Sequence, residues 1–144
     1  MAQLGFALVI TQIGKVRTMN PQYDVIGKAF VQQYYAMFDD PVQRPNLLSL
    51  YNAEGSLLTF EGAQHMGSAK IMEKFSALTF QKIQHHVTTV DCQPMWDGGI
   101  LINVLGQLKT DDDPPHSFSH TFILKPSETS FFVQHEMFRL NLHS

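Results

Sequence analysis

The densest run of charge in the chain is Asp111-Asp112-Asp113, three consecutive carboxylates followed by Pro114 and Pro115. On a connection between two strands such a run makes a concentrated negative potential that suits a basic partner. Taken by itself the run favours a plainer reading, a solvated turn in which Asp side chains cap backbone amides ahead of proline. Glu61, between Phe60 and Gly62, has the same two readings. Together these acids describe a negative rim beside apolar side chains, which would fit a partner presenting Lys or Arg around a hydrophobic knob. The seven histidines invite a metal reading. However, His85 and His86 are adjacent in an expected strand and would point to opposite faces, while His116 and His120 would stand about 13 Å apart along another. No cofactor or metal is expected. The single cysteine, Cys92, has no partner nearby in sequence and reads as an inert buried thiol. For acid or base chemistry in an enclosed site only Tyr34, Tyr35 and Asp91 stand out, because the other carboxylates fall in turns where water would solvate them. Phosphate-cradling glycine loops, Gly-x-Ser-x-Gly and His-Glu-x-x-His are all missing from the sequence.

The elements that must position these residues can be read from periodicity. From Asn20-Pro21, a helix start with Asn as cap and Pro in the first turn, Ile26, Phe30, Tyr34 and Met37 recur at helical spacing, with Val25, Ala29 and Phe38 widening the stripe. This helix should stop at Asp39-Asp40-Pro41. After a break at Pro45 a shorter helical segment carries Leu47, Leu48, Leu50 and Tyr51. A third helix, capped by Ser68, should bury Ile71, Met72, Phe75 and Leu78. A short hairpin around Gly62, over 56–61 and 64–67, lies between the last two. Beyond Phe80 the period changes, and 84–93, 100–109, 117–125 and 130–142 read as four long strands joined by turn-forming residues. Short joints make sequential antiparallel hairpins. The expected fold is therefore α+β: a bent antiparallel sheet with about three helices packed on one face.

Both faces of those strands carry apolar residues. In the last strand Phe132, Phe138, Leu140 and Leu142 share one face and Phe131, Val133 and Met137 the other. Three short helices can cover one face only, so the second is expected to meet another copy in a two-fold homodimer; the alternative is a sheet curled around its own larger core.

Composition agrees with a surface that meets other molecules. The 144 residues include 10 Lys and Arg, 13 Asp and Glu and 11 Phe, so charged side chains make up 16% and hydrophobic ones 44%. A charge content this low leaves apolar surface that a lone monomer cannot cover. With a net charge of -3 and no basic cluster, nucleic acid is not an expected partner. The apolar run Leu4 to Ile10 is too short to span a bilayer and lacks the basic start and cleavage site of a secretory signal. The domain is expected over 19–144, with 1–18 an extension that is disordered or non-native. Without Lys15 and Arg17 the domain holds 8 basic and 13 acidic residues, a net of -5.

Five colinear segments carry a resemblance: Phe30-Val31-Gln32-Gln33-Tyr34-Tyr35, Leu58-Thr59-Phe60-Glu61-Gly62, Phe80-Gln81-Lys82-Ile83-Gln84-His85, Gly106 to Pro114, and Met137-Phe138-Arg139-Leu140. From about Met19 to the end, the chain resembles the nuclear transport factor 2 family. The resemblance implies a cone-like fold, a bent sheet wrapped by helices around a hydrophobic cavity. It implies a homodimeric carrier, not an enzyme, that moves the GDP form of the GTPase Ran from cytoplasm to nucleus and binds Phe-x-Phe-Gly repeats of nucleoporins. Such a protein is found in cytoplasm and nucleus and is enriched at the nuclear pore. An aromatic residue of Ran enters the cavity of family members while acids at its mouth pair with basic residues, and the matching positions are Glu61, Asp111 and Asp113, with Phe60 and His85 close by. Tyr23 matches an aromatic of the nucleoporin site. Met137 matches a dimer-face methionine, in keeping with the shared face of Phe131, Val133 and Met137. Phe60 and Tyr23 stand where tryptophan is common in the family, so both contacts are smaller and lack the indole donor. The same fold also houses cavity enzymes resembling ketosteroid isomerase and dehydratases, and dimerising scaffold modules in mRNA export.

Overall fold

The computed structural model describes residues 18–142; the expected extension, apart from Thr18, lies outside them. Helix α1 spans Tyr23–Asp39, a 3-10 helix Arg44–Leu50, and helix α2 Ser68–Ser76. Strands β1 (Leu57–Phe60) and β2 (Ala63–Met66) form the short hairpin, and β3 (Ile83–Pro94), β4 (Ile100–Thr110), β5 (His116–Ser127) and β6 (Ser130–Leu140) the long meander. One six-stranded sheet results, in the order β2-β1-β6-β5-β4-β3. The architecture is α+β, as expected, but the sheet is mixed. Every neighbouring pair is antiparallel except β1 and β6, which run parallel. The hairpin thus joins the meander through a long-range pairing that no turn residue announces.

The helices differ from expectation in their first turns. Asn20 does not cap α1; its Oδ1 accepts from the Gln22 amide at 2.8 Å and its carbonyl from the Tyr23 amide at 3.2 Å, a turn that precedes the helix. The buried stripe of α1 is Gly27, Val31, Tyr34, Tyr35 and Phe38, rotated from the expected one so that Val25 is 66% exposed. The rotation follows from Gly27, where a Cβ would lie 2.5 Å from Cys92 Sγ, and its bare backbone lets α1 settle on β3. Pro45 sits inside the first turn of the 3-10 helix, a place where its missing amide costs no hydrogen bond. Gly67, at φ 87, precedes α2 in place of Ser68, because a Cβ there would lie 2.5 Å from the Ala53 carbonyl.

Leu47, Leu58, Ile71, Ile102, Phe118 and Phe122 are among the side chains fully enclosed between helices and sheet. Pairing of Ile123 with His135 and of Leu124 with Val133 leaves Gln134 as an extra residue in β6. A bulge of one residue reverses the alternation on one side of it. Val133 therefore points into the core and is 1% exposed, which corrects its expected place beside Met137 on the outer face. Phe131 is half-buried and packs at the edge of the core, whereas Met137 is 54% exposed on the outer face, as expected. Leu105, at 46%, shares that face with the partly exposed Leu57, Leu101 and Ile123.

Candidate functional site

Between the concave side of the sheet and the helices lies a cavity of about 350 Å³. Its lining joins α1 (Tyr34, Phe38), the α2 region (Phe75, Leu78, Phe80) and the strands (Phe60, His85, Leu108, His120, Glu136, Phe138), with Asp113 and His116 from the β4–β5 connection side. Curvature and the α1 stripe create the space: each strand sends alternate side chains inward, and none of those on β3 to β6 fills it alone. Rings dominate the walls. Phe60 stacks on Phe138 with centroids 4.9 Å apart, and Lys74 Nζ lies 5.0 Å from the Phe60 centroid. Arg44 is placed over both Phe38 and Phe80, and its Nε donates to the Phe38 carbonyl near the end of α1.

The closed end of the cavity is polar. Glu136 is 2% exposed, and its Oε1 accepts from Tyr51 Oη at 2.6 Å. Its Oε2 lies 2.7 Å from both Tyr34 Oη and His120 Nε2. His120 Nδ1 in turn lies 2.7 Å from Tyr35 Oη. One proton arrangement satisfies every atom: Tyr35 donates to Nδ1, Nε2–H donates to Glu136, and both remaining phenols donate to the carboxylate. Burial lowers the His120 pKa, against the pull of Glu136, which keeps the imidazole neutral as this arrangement requires. Burial, reinforced by Glu136, pushes the Tyr34 and Tyr51 phenols well above their ordinary value, so they remain donors.

Of the residues singled out from the sequence, Phe60, His85 and Asp113 meet at this cavity. The imidazole of His85 stacks on Tyr35 at 4.3 Å, and its Nδ1 lies 2.6 Å from Asp39 Oδ1, while the other Asp39 oxygen accepts the His85 amide. Asp111 is tied up differently. Its Oδ1 accepts the amides of Gln81 and Lys82, both at 2.9 Å, which pins the segment leading into β3. Lys109 Nζ donates to the carbonyls of Asp111 and Asp113, each at 3.0 Å, folding the acidic connection back on β4. Glu61, in the β1–β2 turn, accepts the Leu140 amide through Oε1 and does not line the cavity. Tyr23 opens α1, half-buried, away from the cavity. Asp91 is exposed, which removes it from acid or base work in an enclosed site. Cys92 is half-buried against α1, with burial raising its pKa, in line with an inert thiol. Among the described residues no group of three or more His, Cys, Asp or Glu is arranged to hold a metal ion.

Sequence reasoning missed Glu136, His120 and Tyr51, and the expectation that carboxylates sit only in solvated turns is wrong for Glu136. A signal was present: Glu136 is two residues from Phe138 and therefore on its inward face. What could not be seen is that three donors from distant segments converge there.

Residues 26–140 match the nuclear transport factor 2 domain. The chain belongs to the nuclear transport factor 2 family. Its relatives include a protein of Caenorhabditis elegans described as a probable nuclear transport factor 2, 49% identical over 88% of this chain and 98% of the relative. The nuclear transport factor 2 of rice, Oryza sativa subsp. japonica, is 48% identical over 82% and 96%. Among solved structures, nuclear transport factor 2 of Cryptosporidium parvum superposes with a TM-score of 0.81 at 43% identity, covering 87% of this chain and 99% of that one. The family resemblance read from five short segments therefore extends over the whole described domain, cone-like fold included. The relatives bear the name of a transport factor and not of an enzyme, and the chain is a carrier of this family.

Proposed function

We propose that this chain is a nuclear import carrier that binds the GDP form of Ran through the cavity mouth and works as a homodimer between cytoplasm and nucleus. The observation that carries the reading is the open aromatic cavity with Asp113 in its lining, on a chain related over nearly its full length to transport factors. A cavity of this kind receives an aromatic knob, and burying one Phe contributes roughly 1.5 to 3 kcal/mol. Asp113, with Asp111 and Glu61 on neighbouring turns, supplies the negative field that orients basic residues around the knob and raises the association rate. His85 and Phe60 shape the wall that the knob touches.

Passage through the nuclear pore rests on weak contacts with Phe-x-Phe-Gly repeats near Tyr23, and two copies per dimer supply avidity while each contact releases quickly. The outer sheet face, with Met137, Leu105 and Ile123, forms the dimer contact.

The deciding experiment is a pull-down with the full chain as bait and Ran loaded separately with GDP and with GTP. Retention of the GDP form alone is expected. Equal retention of both forms, or of neither, would refute the assignment.

A further inference from the structure

The cavity is larger than one aromatic knob needs, and its closed end has a chemistry that such a knob does not use. A benzene ring is held by an apolar cavity of roughly 150 Å³. The cavity here, about 350 Å³, has room for a ring and a short arm. Its lining includes Glu136, Tyr34 and His120, the lining residues that join the buried hydrogen-bond network. Among the described residues the Glu136 carboxylate has three donors, Tyr34 and His120 on Oε2 and Tyr51 on Oε1, for about four lone-pair sites.

Charge points the same way. The lining contains two carboxylates, Glu136 and Asp113, and three imidazoles, but no Lys and no Arg. The cations closest to its rings, Arg44 and Lys74, lie over Phe38, Phe80 and Phe60 and are not part of the lining. Among the described residues no Lys or Arg reaches the Glu136 carboxylate, which is held by Tyr34, Tyr51 and His120. A buried anion beside unfilled space favours a cationic occupant that can also donate a hydrogen bond.

We propose that the cavity is a binding site for a small arylalkylammonium compound, its ring among Phe60, Phe75 and Phe138 and its primary ammonium on the Glu136 carboxylate. The site does not depend on the Ran reading, since it concerns a free small molecule and its test contains no protein partner. A cavity of this volume is at the lower end of ordinary ligand pockets, roughly 300 to 1,000 Å³, and limits the compound to a single ring with a short arm.

The test is isothermal titration calorimetry of the full chain with phenethylammonium and with phenethyl alcohol, which matches it in shape and keeps one donor but lacks the charge. The ammonium should bind at least about tenfold more tightly. Its advantage should persist when salt rises from about 0.15 M to about 0.5 M, because a buried charge contact is poorly screened. It should fall to near equality in Glu136→Gln. Should Glu136→Gln not fold, the comparison of the two compounds on the unaltered chain decides by itself. Equal affinities, no binding of either compound, or an advantage that persists in a folded Glu136→Gln would each overturn the proposal.

Discussion

Replacing Tyr51 by Phe tests the accounting of donors on Glu136. Among the described residues Tyr51 is the only donor to Oε1, at 2.6 Å, while Oε2 has Tyr34 and His120, each at 2.7 Å. Tyr51→Phe therefore leaves one oxygen of a buried carboxylate bare, whereas Tyr34→Phe leaves Oε2 with the imidazole. Both variants also lose the 3.1 Å contact between the two phenols, so that loss cancels in the comparison. A hydrogen bond to a buried charge contributes about 1.5 to 3 kcal/mol, which is the expected loss for Tyr51→Phe. Tyr34→Phe should cost less, about 0.5 to 1.5 kcal/mol, because its acceptor keeps a partner. For a domain of this size the larger loss corresponds to a fall in Tm of about 3 to 12 °C. Urea unfolding at fixed protein concentration, with the slope unchanged between variants, measures both. A cost for Tyr34→Phe equal to or above that for Tyr51→Phe would show that the donors are not distributed as described, and costs below about 0.5 kcal/mol in both would show that the carboxylate does not depend on them.

The remaining expectations concern protonation, the outer face and the acidic connection. The His120 pKa is lowered by burial, so the unfolded chain takes up a proton near pH 6.5 before the folded one does. Stability contributed by this group is present above about pH 6.5 and is lost as pH falls below it; an NMR titration in which the His120 ring stays neutral below pH 6.5 confirms the sign, and one in which it protonates above pH 6.5 reverses it. Met137→Glu adds a charge to a side chain 54% exposed in the monomer, so folding should change by no more than about 0.5 kcal/mol while a dimer through this face dissociates. Sedimentation as an intact dimer would remove Met137 from the interface. Asp111→Ala should destabilise by about 0.5 to 2 kcal/mol, as loss of a helix cap does, since two backbone amides lose their acceptor. Asp113→Ala should leave stability unchanged and weaken Ran-GDP binding; urea unfolding with a binding titration separates the two roles, and equal effects on stability would contradict the division.

Much of the fold was legible because it is local. The hairpin around Gly62, the change of period after Phe80 and the inward face of α2 follow from residues within a few positions of one another. Starts of helices were less legible, since Asn20 and Ser68 are good caps in isolation and lost to a preceding turn and to the crowding at Gly67. Phe60, His85 and Asp113 line the cavity, while Asp111 holds backbone. Val133 was misplaced because alternation assumes an unbroken ladder, and a single extra residue, Gln134, reverses it.

By itself the sequence determined the α+β class, the family and the acidic positions, because periodicity, turn chemistry and contiguous motifs are properties of neighbouring residues. Only the tertiary structure decided that β1 lies parallel to β6 and that Val133 turns inward. It alone placed Glu136 under Tyr34, Tyr51 and His120, donors 102, 85 and 16 residues away in the chain. Burying a carboxylate is tolerable only where donors converge on it, and convergence across such separations is set by the packing of α1, the 3-10 helix and the sheet, not by any local pattern.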